Sequence, residues 1–312
     1  MTILSAKTCD IRSVHAVLKS IGFAKLAVLQ IRDAGLQFTV QSGQEVTAKG
    51  YIPRTFFDEY AFKSSEGAVQ MEISISSLIE TMNIYGNATT TVTNANFTCS
   101  EKGEQDVPTV LKLNYQGYGY PLALDIIAPP TILPDDSMWS PQTTVELKTN
   151  EYDIASDGAL ELPFDDESVQ MKVIMQSQWL SDALAALETQ TDVVTLSSPA
   201  DTSANAPALR LSAISETGAL EFDFPESEQL ALRDDGPIDS IVRSVEGVVC
   251  ERYRAAHILH ASKAIAASHK TSLRINSIGM LSLQMMVIDA HGKQTFIDFV
   301  LRPLENDDID ML

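Results

Sequence analysis

The chain has 312 residues, of which 45% are hydrophobic and 21% are charged. This composition excludes a membrane bundle, a disordered chain and a disulfide-stapled scaffold, and the length suffices for two ordinary domains. Because 42 acidic residues outnumber 22 basic ones, the net charge is −20, so any contact with nucleic acid must be local. The cysteines Cys9, Cys99 and Cys250 lie far apart without a metal-binding spacing, which favours a reducing compartment.

Charge near the start of the chain bears on its location. Lys7, Asp10 and Arg12 come too early for the apolar stretch of a signal peptide, and no run approaches 18 uncharged apolar residues. We therefore expect a chain of the cytosol or nucleus that does not associate with membranes.

A unit that recurs about four times organises the chain, with an amphipathic helix and strand-like segments in each copy. The first copy has a helix over 10–23, with Ile11, Val14, Leu18 and Ile21 on one face. Its strands are predicted at 25–31, 35–40 and 45–52, with a turn at 33–35. The second copy has a strand from position 69, a helix over 77–84, and strands at 109–115 and 120–127.

The second half of the chain repeats this order. Its first strand begins with Gln170-Met171, 100 residues after Gln70-Met71, and leads to a helix over 179–187 and strands at 191–197, 208–214 and 219–224. The fourth copy begins at Val248, with a helix over 257–268 and strands at 271–277, 280–289 and 295–301. The pattern predicts an α+β fold of two similar domains, each an antiparallel sheet with two helices on one face.

The domain boundary is predicted between the second and third copies. Residues 128–167 contain Pro129, Pro130, Pro134 and Pro141 and many acids, and prolines interrupt regular elements. We expect an N-terminal domain over 1–128, a linker over 129–167, a C-terminal domain over 168–304 and an acidic tail over 305–312.

One octet carries a family resemblance. The sequence YQGYGYPL at 115–122, the triplet Arg252-Tyr253-Arg254 before the fourth helix, and GMLSLQ at 279–284 are similar to the PCNA-like sliding clamps. The similarity is to the subunit that supplies the middle "1" of the heterotrimeric 9-1-1 checkpoint complex. It extends over both halves of the chain, since the order of helices and strands agrees over most of its length.

The resemblance implies a ring of three two-domain subunits, with helices lining a hole for duplex DNA and sheets outside. Each phosphate contact adds about 0.9 to the salt dependence, so a few contacts give weak binding without sequence specificity. The first helix places Arg12, then His15 or Ala16, then Lys19 opposite its apolar stripe. The expected DNA-facing residues are Arg12, Lys19, His257, His260, Lys263 and Lys270. The middle two helices offer Glu80, Asp182 and Glu188 instead. A solvated helix face is the alternative for Arg12 and Lys19.

The resemblance also implies two kinds of protein contact. Strands at 109–115 and 219–224 would be sheet edges that pair with neighbouring subunits. The residues expected at these subunit interfaces are Thr109, Leu111, Leu113, Tyr115, Leu220, Phe222 and Phe224. An outer pocket for docking enzymes would be lined by Val40, Ile132, Leu133 and Pro303; alternatively, Ile132 and Leu133 only pin the linker. The acidic tail is solvated or lies near this pocket, and the tyrosines of the octet pack in a sheet and turn or contact partners.

The function expected from the resemblance is that of a nuclear, non-enzymatic clamp subunit without a cofactor. It would assemble with two paralogous subunits, be placed on DNA by a clamp loader, and recruit checkpoint and repair proteins at damage. The alternative is a metal-dependent 3′-5′ DNA exonuclease, which requires carboxylates around two divalent ions about 4 Å apart. A homotrimeric clamp differs only in its partners.

Other motifs are too incomplete to indicate chemistry. His257 and His260 have a spacing compatible with a metal, but no further ligand accompanies them. Residues 153–164 lack the acidic third and twelfth positions of a calcium-binding loop. Gly117 and Gly119 precede a strand, and no third glycine follows them, so they indicate a turn and not a dinucleotide-binding site.

Overall fold

The structure is a computed structural model that describes residues 2–64, 67–86, 88, 109–132, 137–152, 162–187, 191–199, 207–215, 218–226, 236–244, 247–289 and 291–305. The chain forms two compact units that interleave in sequence. The first comprises Met1–Val40, Gly50–Gly158 and Ile288–Thr295, and the second comprises Gln41–Lys49, Ala159–Val287 and Phe296–Leu312. The contiguous domain boundaries expected from the sequence stay a prediction.

Twelve strands and two helices are described in the first half of the chain. The helices are α1 (Ile11–Ile21) and α2 (Ile75–Met82), and a 3-10 turn spans Arg54–Phe56. The strands are β1 (Leu4–Thr8), β2 (Leu26–Arg32), β3 (Gly35–Ser42), β4 (Val46–Pro53), β5 (Glu59–Phe62), β6 (Ala68–Ser74), β7 (Val110–Tyr115), β8 (Leu122–Ile127), β9 (Thr131–Ile132), β10 (Met138–Trp139), β11 (Gln142–Leu147) and β12 (Asn150–Glu151).

Helix α1 forms where its sequence predicts. Asp10 caps it, because its side chain accepts a hydrogen bond from the backbone N–H of Arg12. The predicted apolar stripe of the helix is buried. The turn between β2 and β3 ends at Gly35, whose φ of +146° and close approach to the backbone of Ile52 leave no room for a side chain.

Two antiparallel sets of strands enclose the core of the first unit. One is a five-stranded sheet in the order β11, β8, β7, β1, β5, and the other runs β12, β6, β2, β3. Helices α1 and α2 pack on each other. Both helices and both sets of strands contribute to one apolar cluster, formed by Leu4, Val14, Leu18, Leu29, Leu36, Phe38, Leu78, Met82, Leu113 and Leu122.

The second half of the chain has the same kinds of element. Its helices are α3 (Ser177–Ala185), α4 (Ala255–Leu259) and α5 (Ser262–Ala267). Its strands are β13 (Val169–Gln176), β14 (Val193–Ser198), β15 (Leu209–Ser215), β16 (Gly218–Phe224), β17 (Ile238–Arg243), β18 (Val249–Arg254), β19 (Lys270–Asn276), β20 (Leu281–Ile288) and β21 (Gln294–Leu301). The helix predicted over 257–268 is therefore divided into α4 and α5.

The second unit contains a four-stranded sheet in the order β16, β15, β14, β18, and a set of strands in the order β20, β19, β13, β17. Helices α3 and α5 pack together. Three hydroxyl groups join α3 to its surroundings: the Oγ of Ser177 lies 2.8 Å from Oγ1 of Thr271 and 2.7 Å from Oγ of Ser268. The prediction of antiparallel sheets with few helices is confirmed, whereas the duplication into similar domains and repeats stays a prediction.

One local prediction is wrong. Residues 128–167 were expected to lack regular structure, but they contain β9, β10, β11 and β12. Pro129 and Pro130 precede β9, and Pro141 precedes β11, so all three lie outside the strands. This placement is expected, because proline cannot donate the hydrogen bond that a strand interior needs. Pro141 therefore marks the start of strand β11, which completes the five-stranded sheet of the first unit.

Candidate interaction surfaces

Arg12 is engaged at the N-terminus of α1. Its Nε and Nη2 lie 2.9 and 2.8 Å from the two carboxylate oxygens of Asp10, and its side chain is only 16% exposed. Burial opposes ionisation of Asp10, but the hydrogen bonds from Arg12 outweigh it and lower the pKa of the carboxyl group. A phosphate would have to compete with this carboxylate for the guanidinium group.

The rest of the outer face of α1 is only weakly basic. His15 is buried, whereas Ala16 and Lys19 are exposed, so Ala16 occupies the position that the sequence left open between the two. Burial lowers the pKa of His15, with a further contribution from Lys19. Lys19 lies in the last turn of the helix, where a cation also interacts favourably with the helix dipole.

The two histidines near α4 are half-buried. The ring centroids of His257 and His260 lie 6.4 Å apart with planes 20° from parallel. Burial lowers the pKa of both rings. Nearby positive charge lowers each pKa further, from Arg254 at His257 and from His257 at His260. They are therefore neutral near pH 7, so they offer no fixed charge to a phosphate.

Two predicted lysines have different settings. Lys263 is exposed on α5. Lys270 is the first residue of β19, not a helical residue, and its Nζ lies 2.7 Å from Oδ2 of Asp239. Glu80 and Asp182 are exposed on α2 and α3, and Glu188 lies outside the described residues. Of the predicted DNA-facing side chains, Lys19 and Lys263 thus provide exposed charge on helices.

The structure contradicts the prediction that 109–115 is an edge strand. Strand β7 pairs with β1 on one side and with β8 on the other, so its backbone is inside the sheet. Thr109, Leu111, Leu113 and Tyr115 are buried. An alternating pattern shows that one face of a strand is covered, but it carries no information about the number of neighbouring strands. Tyr118 and Tyr120, in the turn that follows, are exposed.

Strand β11 is the edge strand instead. It pairs only with β8 among the described strands, from Gln142 opposite Ile127 to Leu147 opposite Leu122. Gln142, Thr144 and Glu146 point outward and are exposed, while Thr143 and Val145 are half-buried on the other face. The alternation of QTTVEL after Pro141 is the sequence signal that predicts this strand.

Strand β16 ends the four-stranded sheet of the second unit, and the pairing of its edge with a neighbouring subunit stays a prediction. Its described strand neighbour is β15, with Leu209 opposite Phe224 and Ser215 opposite Gly218. Leu220 and Phe222 are half-buried on the face where Phe224 is buried. Large apolar side chains that are half-buried at the end of a sheet leave apolar surface for another strand to cover.

Arg210 links the outward acids of β16. Its Nε lies 2.6 Å and its Nη2 3.0 Å from the carboxylate oxygens of Asp223. Its Nη1 lies 3.7 Å from Glu221, whose side chain is 58% exposed. The hydrogen bond and charge of Asp223 raise the pKa of Arg210. One arginine thus serves two carboxylates, and Glu221 is the less engaged of the two.

The other edges of these two sheets are protected. Strand β5 has four residues and lies between the charged residues Asp58 and Lys63, which disfavour pairing with another strand. At β18, the backbone N–H of Leu304 donates to the carbonyl oxygen of Arg252 over 2.8 Å, so the C-terminal segment covers part of this edge. Among the described residues, each of these two sheets therefore has one protected edge and one available edge.

The predicted outer pocket is described only in part. Val40 is fully buried, so its side chain contributes no surface to a docking partner, and Pro303 is half-buried. Ile132 belongs to β9. The side chain of Ile132, all of Leu133 and the tail from 306 to 312 lie outside what the structure describes, and the pocket stays a prediction.

The described residues contain no group of three or more histidine, cysteine, aspartate or glutamate side chains that could hold a metal ion. In the same part of the chain, no helix is both long and apolar enough to cross a membrane.

Comparison with known proteins agrees over nearly the whole chain. The family described as "Repair protein Rad1/Rec1/Rad17" matches residues 3–287. The chain is 26% identical over 307 residues to the cell cycle checkpoint protein RAD1 of Mus musculus. This alignment covers 97% of this chain and 92% of that protein. It is 25% identical over 311 residues to the DNA damage checkpoint control protein rad1 of Schizosaccharomyces pombe, with 96% and 86% covered. The similarity to the DNA repair exonuclease REC1 of Mycosarcoma maydis is 27% over 199 residues, with 57% and 40% covered.

Proposed function

This chain belongs to the Rad1/Rec1/Rad17 family of repair proteins, and from that premise we propose that it is a non-catalytic subunit of a heterotrimeric sliding clamp. The clamp encircles duplex DNA at sites of damage, activates the checkpoint and recruits repair proteins in the nucleus. The relatives named as checkpoint proteins support the checkpoint role. Two paralogous subunits complete the ring, and a clamp loader places it on DNA.

The observation that carries this proposal is the pair of available sheet edges. Strand β11 in the first unit and strand β16 in the second each have a free side among the described strands, while the opposite edge of each sheet is protected. A subunit with two different available edges can join one neighbour through each of them, and such head-to-tail contacts form a ring when the rotation between subunits closes. Strand pairing satisfies the open backbone groups at both edges.

Contact with DNA is expected to be weak and independent of sequence. Lys19 and Lys263 are exposed cations on helices, while Arg12 and Lys270 are held by carboxylates. Acids elsewhere on the surface act little beyond a screening length of about 8 Å, so the net charge of −20 does not prevent contact at these lysines. A ring that slides benefits from weak contacts, because encirclement keeps it on DNA.

Assembly is tested by producing the chain alone and together with its two paralogous clamp subunits. We expect the mixture to yield a 1:1:1 particle by native mass measurement, and the chain alone to remain without a stable ring. Absence of the chain from any mixed particle would contradict the proposal. A stable homotrimer would replace it with a homotrimeric clamp.

The DNA contact is tested on assembled rings loaded on nicked circular DNA. Changing both Lys19 and Lys263 to glutamate should reduce retention and lower the slope of log affinity against log salt by about 2, since each phosphate contact contributes about 0.9. Lys172→Glu, an exposed lysine on strand β13, is the matched control. Equal retention of the double variant and the control would refute a role for these two lysines.

The name of the Mycosarcoma maydis relative supports a second candidate, a metal-dependent 3′-5′ exonuclease. Such an enzyme would release nucleotides from labelled single or double strands when Mg²⁺ or Mn²⁺ is added. We expect no release from the purified chain. Metal-dependent release that a single carboxylate substitution abolishes would establish the nuclease.

A further inference from the structure

The outward faces of the two available edges carry exposed acidic side chains, Glu146 on β11 and Glu221 and Asp223 on β16. We propose that β11 and β16 offer a second copy of the chain no net favourable charge pair and accept strands with a lysine or arginine opposite Glu146 and Glu221. This inference rests on the proposed function, because it concerns the same two edges. It identifies the occupant of each edge as a strand of another chain with outward basic side chains.

The outward face of β11 carries one acid and, just beyond the strand, one base. Gln142, Thr144 and Glu146 are exposed, and Lys148 continues the same alternation and is also exposed. On β16 the exposed outward positions are Ala219, Glu221 and Asp223. These side chains would meet along the seam if β11 of one copy extended the sheet that contains β16 of another.

Every strand pair within the two sheets is antiparallel, so we expect β11 and β16 of two copies to pair in the same way. Three registers place Glu146 opposite an outward residue of β16. With Glu146 opposite Ala219, no charged pair forms. With Glu146 opposite Glu221, two acids meet. With Glu146 opposite Asp223, these two acids repel each other, while Lys148 lies opposite Glu221 and attracts it.

None of these three registers therefore gives a second copy a net favourable charge pair. Directly opposed like charges destabilise a sheet, whereas opposite charges stabilise it by roughly 0.2–1 kcal/mol per pair. A partner strand with a base opposite Glu221 gains such a pair without the repulsion. Glu221 is suited to this role, because it is 58% exposed and its contact with Arg210 is long at 3.7 Å.

The test is to reverse the charge at one edge. Glu146→Lys converts the second register into an attraction and the third into two attractions. Self-association of this variant should be about tenfold tighter than that of the unchanged chain at low salt, and the difference should shrink at high salt. The measurement is sedimentation velocity over a concentration series, with circular dichroism to check the fold.

Two further variants separate pairing at the seam from a general change in charge. Adding Glu221→Lys to Glu146→Lys removes the net attraction in every register, so self-association should return to the original level. Asp182→Lys makes the same change of charge on the exposed face of α3, outside both edge strands, and should leave self-association unchanged. Equal self-association of Glu146→Lys and the unchanged chain would overturn the inference, as would an equal gain in Asp182→Lys.

Mixing with the two paralogous subunits distinguishes this inference from the proposed function. A 1:1:1 particle from the unchanged chain, together with no gain in self-association by Glu146→Lys, overturns the charge selection alone. Failure of the unchanged chain to enter a mixed particle overturns the proposed function. If the charge selection holds, Glu146→Lys also enters the mixed particle less readily than Asp182→Lys does.

Discussion

His291 lies against Asp10 although 281 positions separate them in the sequence, with its Nε2 3.3 Å from Oδ2 of the carboxylate. Asp10 also caps α1 and binds the guanidinium group of Arg12. On the same side, Oγ of Ser13 lies 3.0 Å from Oδ2 of Asp289. The turn after β20 thus holds the N-terminal end of α1 through side-chain hydrogen bonds within the first unit.

Replacement of Asp10 tests this fastening. Asp10→Ala removes the cap and the partner of Arg12, and should lower the free energy of unfolding by about 1–2 kcal/mol. Asp10→Asn can still cap the helix, so its loss should be smaller. Urea unfolding measures both, and Asp33→Ala, at an aspartate that is 82% exposed, should change stability little. An equal loss in the Asp33 variant would contradict the assignment.

The same carboxylate predicts a dependence on acid. Because the pKa of Asp10 is lower in the folded chain than its unfolded value of about 3.9, the stabilisation is complete above that value. It is lost as the pH falls through the folded pKa. Unfolding of the original chain and of Asp10→Asn at a series of pH values should therefore show their difference shrinking below about pH 4.

Tyr253 provides a second prediction. This fully buried phenol donates a hydrogen bond to the carbonyl oxygen of Gly279 over 2.8 Å, and burial raises its pKa well above the usual value, so it remains protonated. Tyr253→Phe leaves the buried carbonyl without this donor and should cost about 1–3 kcal/mol in urea unfolding. The exposed Tyr118, changed to phenylalanine, is the control, and equal effects would show that the hydrogen bond contributes nothing.

Gly35 tests the turn after β2. An alanine there would adopt an unfavourable φ of +146°, and its Cβ would lie against Ile52 and 2.9 Å from Cα of Pro53. We expect a loss of more than about 3 kcal/mol or failure to fold. Gly86→Ala has a φ of +76° with nothing within 4 Å, so its cost should be limited to about 1–2 kcal/mol. Thermal unfolding of the two variants separates steric conflict from backbone strain.

His15 predicts a second dependence of stability on pH, which comes from a buried base and not from a carboxylic acid. Burial lowers its pKa in the folded chain, so the unfolded chain binds more protons as the pH falls below about 6.5. The free energy of unfolding should therefore fall as the pH is lowered from 7.5 towards the pKa of His15 in the folded chain, by proton linkage. His15→Gln should show a weaker decrease in urea unfolding, whereas His269→Gln, at an exposed position, should not. Identical pH profiles for the original chain and His15→Gln would contradict this.

Helices with a clear apolar stripe could be predicted closely. Helix α1 was expected over 10–23 and spans Ile11–Ile21, with all four predicted stripe residues buried. The turn at Gly35 was also correct, because tight turns depend on a few adjacent residues. The helix expected over 257–268 was less accurate, since it is interrupted between Leu259 and Ser262.

Charge at the candidate DNA surface could be predicted only in part. Helical spacing brought Arg12 and Lys19 to one face, and Lys19 is exposed there. The pairing of Arg12 with its neighbour Asp10 was a local signal that the sequence already contained, two positions away. The pairing of Lys270 with Asp239 was not, because it depends on two strands that are distant in the sequence.

By itself, the sequence determined where the strands and helices with a clear periodicity form and which of their faces are buried, since periodicity and capping act over neighbouring residues. The tertiary structure alone decided which strands lie at the edges. Leu111 in β7 and Val145 in β11 follow the same alternation, but β7 lies between two strands and β11 has one described neighbour. Pairing partners are selected by contacts across the folded chain, so a pattern within one strand cannot reveal its position in the sheet.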